Sequence, residues 1–365
     1  MQAADNRSRV EQIVVDPETP VITALKKMDE RQVKLLLVLE GGVFRGLLSI
    51  GDVQRAIIRN YPLTDPLGPL LRKDLTVARS GESIDAIRRV MLLKRTEFMP
   101  VVGANGVLER VWFWDELIGA APEAKRADLR LPVVIMAGGK GTRLKPITNV
   151  LPKALIPVGE RTMLEHIVDR FVLANCTQFF LTLNYRAEMI EQYMRSLGQQ
   201  PWSAEFFREP AFLGTGGSLS LLKDRLTSTF FVSNCDVIVD ADYGEIHRYH
   251  VEAKNDLTVV GVVKSYSIPY GVLETGDDGR LTGIREKPEL TFKINSGMYL
   301  LEPHLLSRIP RDAPYNLTDL IESVRHDGRV GVFPVSEGAW MDVGEWSEYN
   351  KTAKRLGFAG VELGS

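Results

Sequence analysis

At 365 residues, with 44% apolar and 25% charged side chains and a formal net charge of −2, the chain has the composition of an ordinary soluble protein of two or three domains. No global basic field draws it to nucleic acid or anionic membrane, and no apolar run approaches the roughly 20 residues that span a bilayer. The two cysteines, Cys176 and Cys235, stand in no CxxC spacing, so neither a disulfide framework nor a zinc site is expected. The opening MQAADNRSRVEQ has no apolar h-region, which sets the expectation of a reduced, cytoplasmic protein.

The first 120 residues carry a weak internal repeat. TPVITALKKM (19–28) matches ESIDAIRRVM (82–91) at an offset of 63, and each predicts a helix. Val21, Leu25 and Met28 share one face of the first, and Ile84, Ile87 and Met91 one face of the second. Two β-rich runs around a glycine-containing turn then predict a hairpin in each copy, KLLLVLEGGVFRGLLSIGDV and EFMPVVGANGVLERVWFWDEL. Two copies are too few for a solenoid and suit a self-packed pair.

The helix–strand–strand–helix order and GLLSIGDV resemble a tandem CBS module over roughly residues 10–120. The resemblance implies a smaller α+β domain, 1–120, that regulates by binding an adenine or guanine nucleotide and often self-associates, hence a homo-oligomer. Ser49 and Asp52 match the family's Ser/Thr-x-x-Asp ribose motif, whereas the second copy has an aromatic in place of the hydroxyl. From the residues alone, Ser49 reads first as a plain N-cap for the helix that follows, with ligand binding the second reading.

GAAPEAKRADLRLP (119–132) is poor in large apolar residues and reads as a linker, placed at 121–131. Beyond it, from 132 to 365, strands and amphipathic helices alternate. PVVIMA, FFLTLN, AEFFRE, TFFVSNCD, LTVVGVV and SGMYLLE predict strands. A helix over 160–174 places Leu164, Ile167 and Phe171 inward; one over 186–197 places Met189, Tyr193 and Leu197 inward. This alternation predicts an α/β domain whose mostly parallel sheet is covered by helices on both faces, with ligands beyond the carboxyl ends of the strands.

The stretch MAGGKGTRLKPITNVLPKALIPVG (136–159) follows the first of these strands. It fails the dinucleotide fingerprint, because Leu144 stands where the third glycine belongs, and it lacks the Gly-Lys-Ser/Thr of a P-loop. Small residues still let backbone N–H groups approach a phosphate, and Arg143 and Lys153 bring positive charge. A tight turn with solvated basic residues remains the alternative at this point.

GGKGTRLKP together with PKALIPVG resembles the sugar-1-phosphate nucleotidyltransferases, the nucleotide-sugar pyrophosphorylases, over roughly residues 132–350. EPAFLGTGGSL, NCDVIVD, PYGVLE, REKPE, INSGMYLLEP and WMDVGEWSEY follow in the family's order. The resemblance implies a Rossmann-like domain that transfers a nucleotidyl group from a nucleoside triphosphate to a sugar 1-phosphate, with Mg²⁺ as cofactor. It assigns the nucleotide to Ala137, Gly138, Gly139, Gly141, Thr142, Arg143, Lys153, Glu209, Gly214 and Thr215, and the metal to Asp236 and Asp342. Asn184, Gly271, Glu286, Lys287, Asn295 and Gly297 would hold the sugar phosphate. Arg143, Lys153, Asp236 and Lys287 would carry catalysis, which is positioning and charge neutralisation rather than covalent work.

A carboxylate at Glu209 accepts from guanine N1–H and N2–H₂, whereas uracil or thymine would prefer an amide, so GTP is the expected donor. FFVSNCDVIVDADY and the N-terminal module look most similar to guanylyltransferases that make GDP-sugars such as GDP-glucosamine for nonulosonic acid and surface-glycan pathways. UTP, dTTP, CTP or ATP, and mannose or heptose 1-phosphate, are the alternatives within the class. A non-catalytic nucleotide sensor is the alternative outside it. Cys235, where most relatives have glycine, is expected to be small and buried rather than a nucleophile.

Overall fold

The computed structural model describes residues 2–72, 75–94, 96–118, 127–311 and 313–358. Two compact units result, Met1–Lys125 and Arg126–Ser365. Of the expected linker, 121–126 lies outside the described residues, and 127–131 has no regular structure. Among the described residues no helix is long and apolar enough to cross a membrane.

In the first unit the repeat is explicit. Each copy has a short strand, a helix, an antiparallel hairpin and a second helix. The strands Val14–Val15, Leu35–Glu40 and Val43–Ser49 form one sheet, and Ala78–Arg79, Phe98–Val102 and Leu108–Phe113 form the other in the same order. The hairpin turns meet, with Phe44 N–H donating to Gly106 O at 2.8 Å. Val21, Leu25 and Met28 are buried on helix Val21–Arg31 as expected. On helix Ile84–Lys94 the buried face is Ile87 and Met91; Ile84 is 47% exposed because it opens the helix and the packed stripe begins one turn later.

The second unit is built on a seven-stranded sheet. Its strands are β1 (Val133–Met136), β2 (Gln178–Leu183), β3 (Ser203–Arg208), β4 (Phe230–Asn234), β5 (Leu257–Ser267), β6 (Glu289–Leu301) and β7 (Val330–Ser336). The spatial order is β3-β2-β1-β4-β6-β5-β7, parallel except for β6, which is antiparallel to both neighbours. The apolar runs of β1 and β2 are fed to both faces by the two-residue strand period. Val133 and Ile135 pack with Leu164, Ile167 and Phe171 of helix α1 (Met163–Leu173) on one side; Val134 packs with Leu219, Leu222 and Leu320 on the other. Each such fully buried side chain contributes about 1.5–3 kcal/mol relative to exposure. Helix α1 starts with a capping box, Thr162 accepting from Glu165 N–H and Glu165 from Thr162 N–H.

Helix α2 (Ala187–Ser196) fully buries Ala187, Ile190 and Met194, and the expected stripe of Met189, Tyr193 and Leu197 packs half-buried against the same core. Within that stripe Tyr193 keeps its hydroxyl at the rim, where it donates to the Glu165 carboxylate. The remaining helices that matter are α3 (Tyr243–Glu252), α4 (Leu317–Asp327) and α5 (Trp346–Arg355). Since β1 to β5 run the same way, their carboxyl ends open on one edge of the sheet. The antiparallel β6 enters the sheet there, with Met298 opposite Ser233 of β4. This edge carries the predicted residues.

Candidate active site

The glycine loop leaves β1 with Ala137 N–H still bonded to Thr182 O at 2.9 Å, so it departs as an extension of the sheet. Gly139 has open space beside its α-carbon, Gly138 is pressed against Glu209 and Asn184, and Gly141 has φ +62°, which glycine adopts freely. A Cβ on Gly141 would lie 3.1 Å from Lys153 Cβ, so the loop rests on the lysine stem. The turn Thr142–Leu144 buries Leu144 and leaves Thr142 and Arg143 exposed. Buried Thr148 fixes the loop: its hydroxyl donates to Gly141 O at 2.9 Å, and its own carbonyl accepts from Tyr185 Oη at 3.0 Å.

On one flank, Asn184 follows β2 and Glu209 follows β3. Asn184 Nδ2 donates to Glu209 O at 3.4 Å, and Glu209, 9% exposed, accepts Leu213 N–H on Oε2 at 3.0 Å. Burial pushes the Glu209 carboxyl above the ordinary glutamate value against that hydrogen bond. Gly214 (φ +77°) packs against Tyr315 O, and the Thr215 hydroxyl accepts Leu317 N–H at 3.1 Å; both seat the start of α4. Gly138, Asn184 and Glu209 therefore converge.

On the other flank, Asp236 follows β4. The strand Val237–Val239 pairs antiparallel with Trp340–Asp342, setting Val237 opposite Asp342, while Val343 N–H donates to Asp236 O at 2.9 Å. This ladder brings the two distant aspartates together. The Lys153 ammonium is ion-paired with Asp236 Oδ2, the two side chains being only 12% and 13% exposed. Asp342 Oδ1 accepts Gly344 N–H at 2.6 Å. Burial, and then the Asp236 charge, push the Asp342 carboxyl above the ordinary aspartate value, opposed by Gly344, Lys153 and Arg143. Arg143 Nη1 pairs with Glu345 Oε1 at 3.2 Å, and Trp346 Nε1 donates to Lys145 O at 3.2 Å.

The sugar-side residues fall into two groups. Gly297 (φ +88°) lies against Asn234 at the end of β4, where a Cβ would meet Asn234 Nδ2 at 2.6 Å. Asn295 is oriented by accepting Gly297 N–H at 3.0 Å and donating to Tyr299 Oη at 2.8 Å. Gly271, Glu286 and Lys287 instead flank the exposed hairpin of Val272–Thr275 and Leu281–Arg285, with Gly271 directly against Glu286.

The residues fit a divalent cation. Two adjacent carboxylates, one of them raised by burial and then by the charge of the other, offer hard oxygen donors to a small cation that completes its shell with phosphates and water. Among the described residues no group of three or more His, Cys, Asp or Glu forms a closed metal cage.

The Nucleotidyl transferase family model matches residues 132–357, and the CBS domain model matches 9–59, the first repeat. The chain belongs to the nucleotidyl transferase family. Relatives include mannose-1-phosphate guanylyltransferase catalytic subunit beta of Danio rerio, 32% identical over 228 residues, and a mannose-1-phosphate guanyltransferase of Emericella nidulans, 33% identical over 227. Each alignment covers 60% of this chain, which spans about 62% of the length of those curated relatives. HddC from Yersinia pseudotuberculosis, also solved complexed with GMP-PN, is 26% identical at a TM-score of 0.50, covering 62% of this chain and 99% of that one.

In this member of the nucleotidyl transferase family several residues around the glycine loop escape sequence reasoning. Thr148, Tyr185, Glu345 and Trp346 hold the loop, yet only WMDVGEWSEY hinted at two of them, through its aspartate. The Cys235 thiol is pushed up to about 12 by burial and the Asp236 charge, so it is not a thiolate nucleophile. In the CBS unit Ser49 caps helix Ile50–Ile58, accepting Asp52 N–H at 3.2 Å, and Asp52 takes Arg55 and Arg72 on its other oxygen.

Proposed function

We propose that the chain is a sugar-1-phosphate guanylyltransferase using Mg²⁺, with a hexose or hexosamine 1-phosphate as acceptor. The observation that carries this reading is the convergence, around one glycine loop, of a cation pair (Arg143, Lys153), two carboxylates (Asp236, Asp342) and a buried base-side carboxylate (Glu209). The names of the relatives support guanosine and put mannose 1-phosphate beside glucosamine 1-phosphate as the acceptor to test first.

A sugar-phosphate oxygen attacks the α-phosphorus, the bond from that phosphorus to the bridging oxygen breaks, and pyrophosphate leaves with its charge. Gly138, Gly139 and Gly141 bring backbone N–H groups to the triphosphate. Lys153 and Arg143 stabilise the leaving pyrophosphate. Asp236 and Asp342 would hold the Mg²⁺, which supplies charge neutralisation at the reacting phosphate. Glu209 accepts from the guanine edge, while Lys287 and Glu286 bind the sugar phosphate and a sugar hydroxyl. The CBS unit is a regulatory nucleotide site with Ser49 and Asp52 at its ribose position.

The test is a matrix of GTP, UTP, dTTP, CTP and ATP against mannose, glucosamine, glucose and heptose 1-phosphates, read by pyrophosphate release. Release with GTP supports the reading; release only with another triphosphate removes the guanylyl assignment. No release with any pair leaves a nucleotide-binding regulatory protein.

A further inference from the structure

Lys153 and Asp236 each have a second partner waiting in the proposed chemistry, and the two demands conflict. Lys153 is needed on the triphosphate and Asp236 on the cation, yet the ammonium is ion-paired with Asp236 Oδ2. Both side chains are nearly buried, so the pair is poorly screened and its members are costly to leave alone. The lysine stem is held against Gly141 and its residue opens the turn Lys153–Leu155. The ammonium can therefore swing between two targets while its stem stays fixed.

We propose that Lys153 and the divalent cation are mutually exclusive partners of the Asp236 carboxylate, so that cation and polyphosphate bind as a coupled pair. Polyphosphate draws the ammonium away and frees the second metal ligand; the cation, by taking Asp236, frees the ammonium for phosphate. Neither alone binds well, because each then has to break the Lys153–Asp236 pair without replacing both partners. Nearby Asp342 carries a similar charge but accepts from Gly344 N–H, so it offers an internal control.

This inference rests on the nucleotidyl transfer reading for its ligands, but its test requires no turnover. Mn²⁺ alone is titrated against the full-length chain by electron paramagnetic resonance. Lys153→Met is expected to bind it at least roughly tenfold more tightly than wild type, and Lys153→Arg about as weakly as wild type. In parallel, metal-free tripolyphosphate is titrated by calorimetry. Asp236→Asn is expected to raise its affinity by roughly tenfold or more over wild type, and Asp342→Asn by clearly less, although both remove one negative charge. Equal Mn²⁺ affinity in wild type and Lys153→Met overturns the proposal, as does an equal gain of tripolyphosphate affinity in the two asparagine variants. A chain inactive in every substrate combination can still show this coupling, and an active one can lack it.

Discussion

Gly138 lies directly against the carboxylate of Glu209, so that a Cβ on its α-carbon would collide with Glu209 Oε1. The glycine is needed for space at this point, since its φ is not positive. Gly138→Ala overpacks the site by one methyl group, a change that costs about 1–3 kcal/mol and is relieved by tilting Glu209. The expected result is a rise of roughly tenfold or more in KM for GTP with a small loss of Tm. Unchanged KM in steady-state kinetics would show that Glu209 is not at the base.

Glu209 itself sets a second expectation. A carboxylate accepts both guanine edge donors, whereas glutamine presents an amide that can donate to a uracil carbonyl. Glu209→Gln should lower kcat/KM for GTP by roughly 10- to 100-fold and narrow the gap to UTP. It should also alter stability. The folded carboxyl is raised by burial, so the folded chain holds the proton more tightly than the unfolded one. That contribution is present below the ordinary glutamate value and fades as pH rises through the raised one. The glutamine variant should therefore be more stable than wild type at pH 8 and lose that advantage near pH 4, measured by thermal melting.

Asp342 follows the same sign, with a neighbouring charge added to burial. Burial and the Asp236 charge raise its carboxyl, so ionisation at neutral pH works against the fold, and the effect disappears as pH falls. Asp342→Asn should raise Tm at pH 7 in EDTA while lowering turnover by orders of magnitude, the pattern of a functional strain. A variant with a lower Tm and near-normal kcat would remove Asp342 from the metal site.

How much of this was legible in the sequence varies with range. Strands β1, β2 and β4 were readable because apolar runs buried on both faces need no partner to declare themselves. The glycine loop and the aspartates were readable through long motifs. On α2 the sequence pattern picked out the half-buried Met189, Tyr193 and Leu197, while the fully buried Ala187, Ile190 and Met194 lie one step round the helix, a difference set by packing against the sheet rather than by local pattern. Pairs such as Arg143 with Glu345 and Trp346 with Lys145 join residues more than 200 positions apart, and no local pattern announces them.

Ser49 in the CBS unit makes a prediction that separates cap from ligand. Its hydroxyl caps helix Ile50–Ile58, and Asp52 is buried with Ser49, Arg72 and Arg55 around it. Burial raises the Asp52 carboxyl, but those hydrogen bonds outweigh it, so its value is lowered; the stability it adds is present above the ordinary aspartate value and lost as pH falls. Ser49→Ala should cost about 0.5–2 kcal/mol in chemical denaturation of this unit. If Ser49 also meets a ribose, calorimetry with AMP, ATP and GTP should show weaker binding in the variant beyond what Ser49→Thr, which keeps the cap, produces.

Thr148 links the loop to the body of the sheet. Its hydroxyl holds Gly141 O, its carbonyl holds Tyr185 Oη, and Arg186 Nε donates to the same tyrosine oxygen at 3.0 Å. The chain of bonds runs from the start of α2 to the glycine whose backbone rests on Lys153. Thr148→Val keeps the shape and removes one buried donor, leaving Gly141 O with the Leu144 N–H as its remaining partner, at a cost of about 0.5–1.5 kcal/mol. Since that carbonyl belongs to the phosphate loop, the loss should appear in KM for the triphosphate and in pyrophosphate affinity more than in kcat with saturating substrate. Thr148→Ser, which restores the hydroxyl, should recover most of it. Equal losses of Tm and kcat in Thr148→Val with unchanged KM would assign Thr148 to the fold alone.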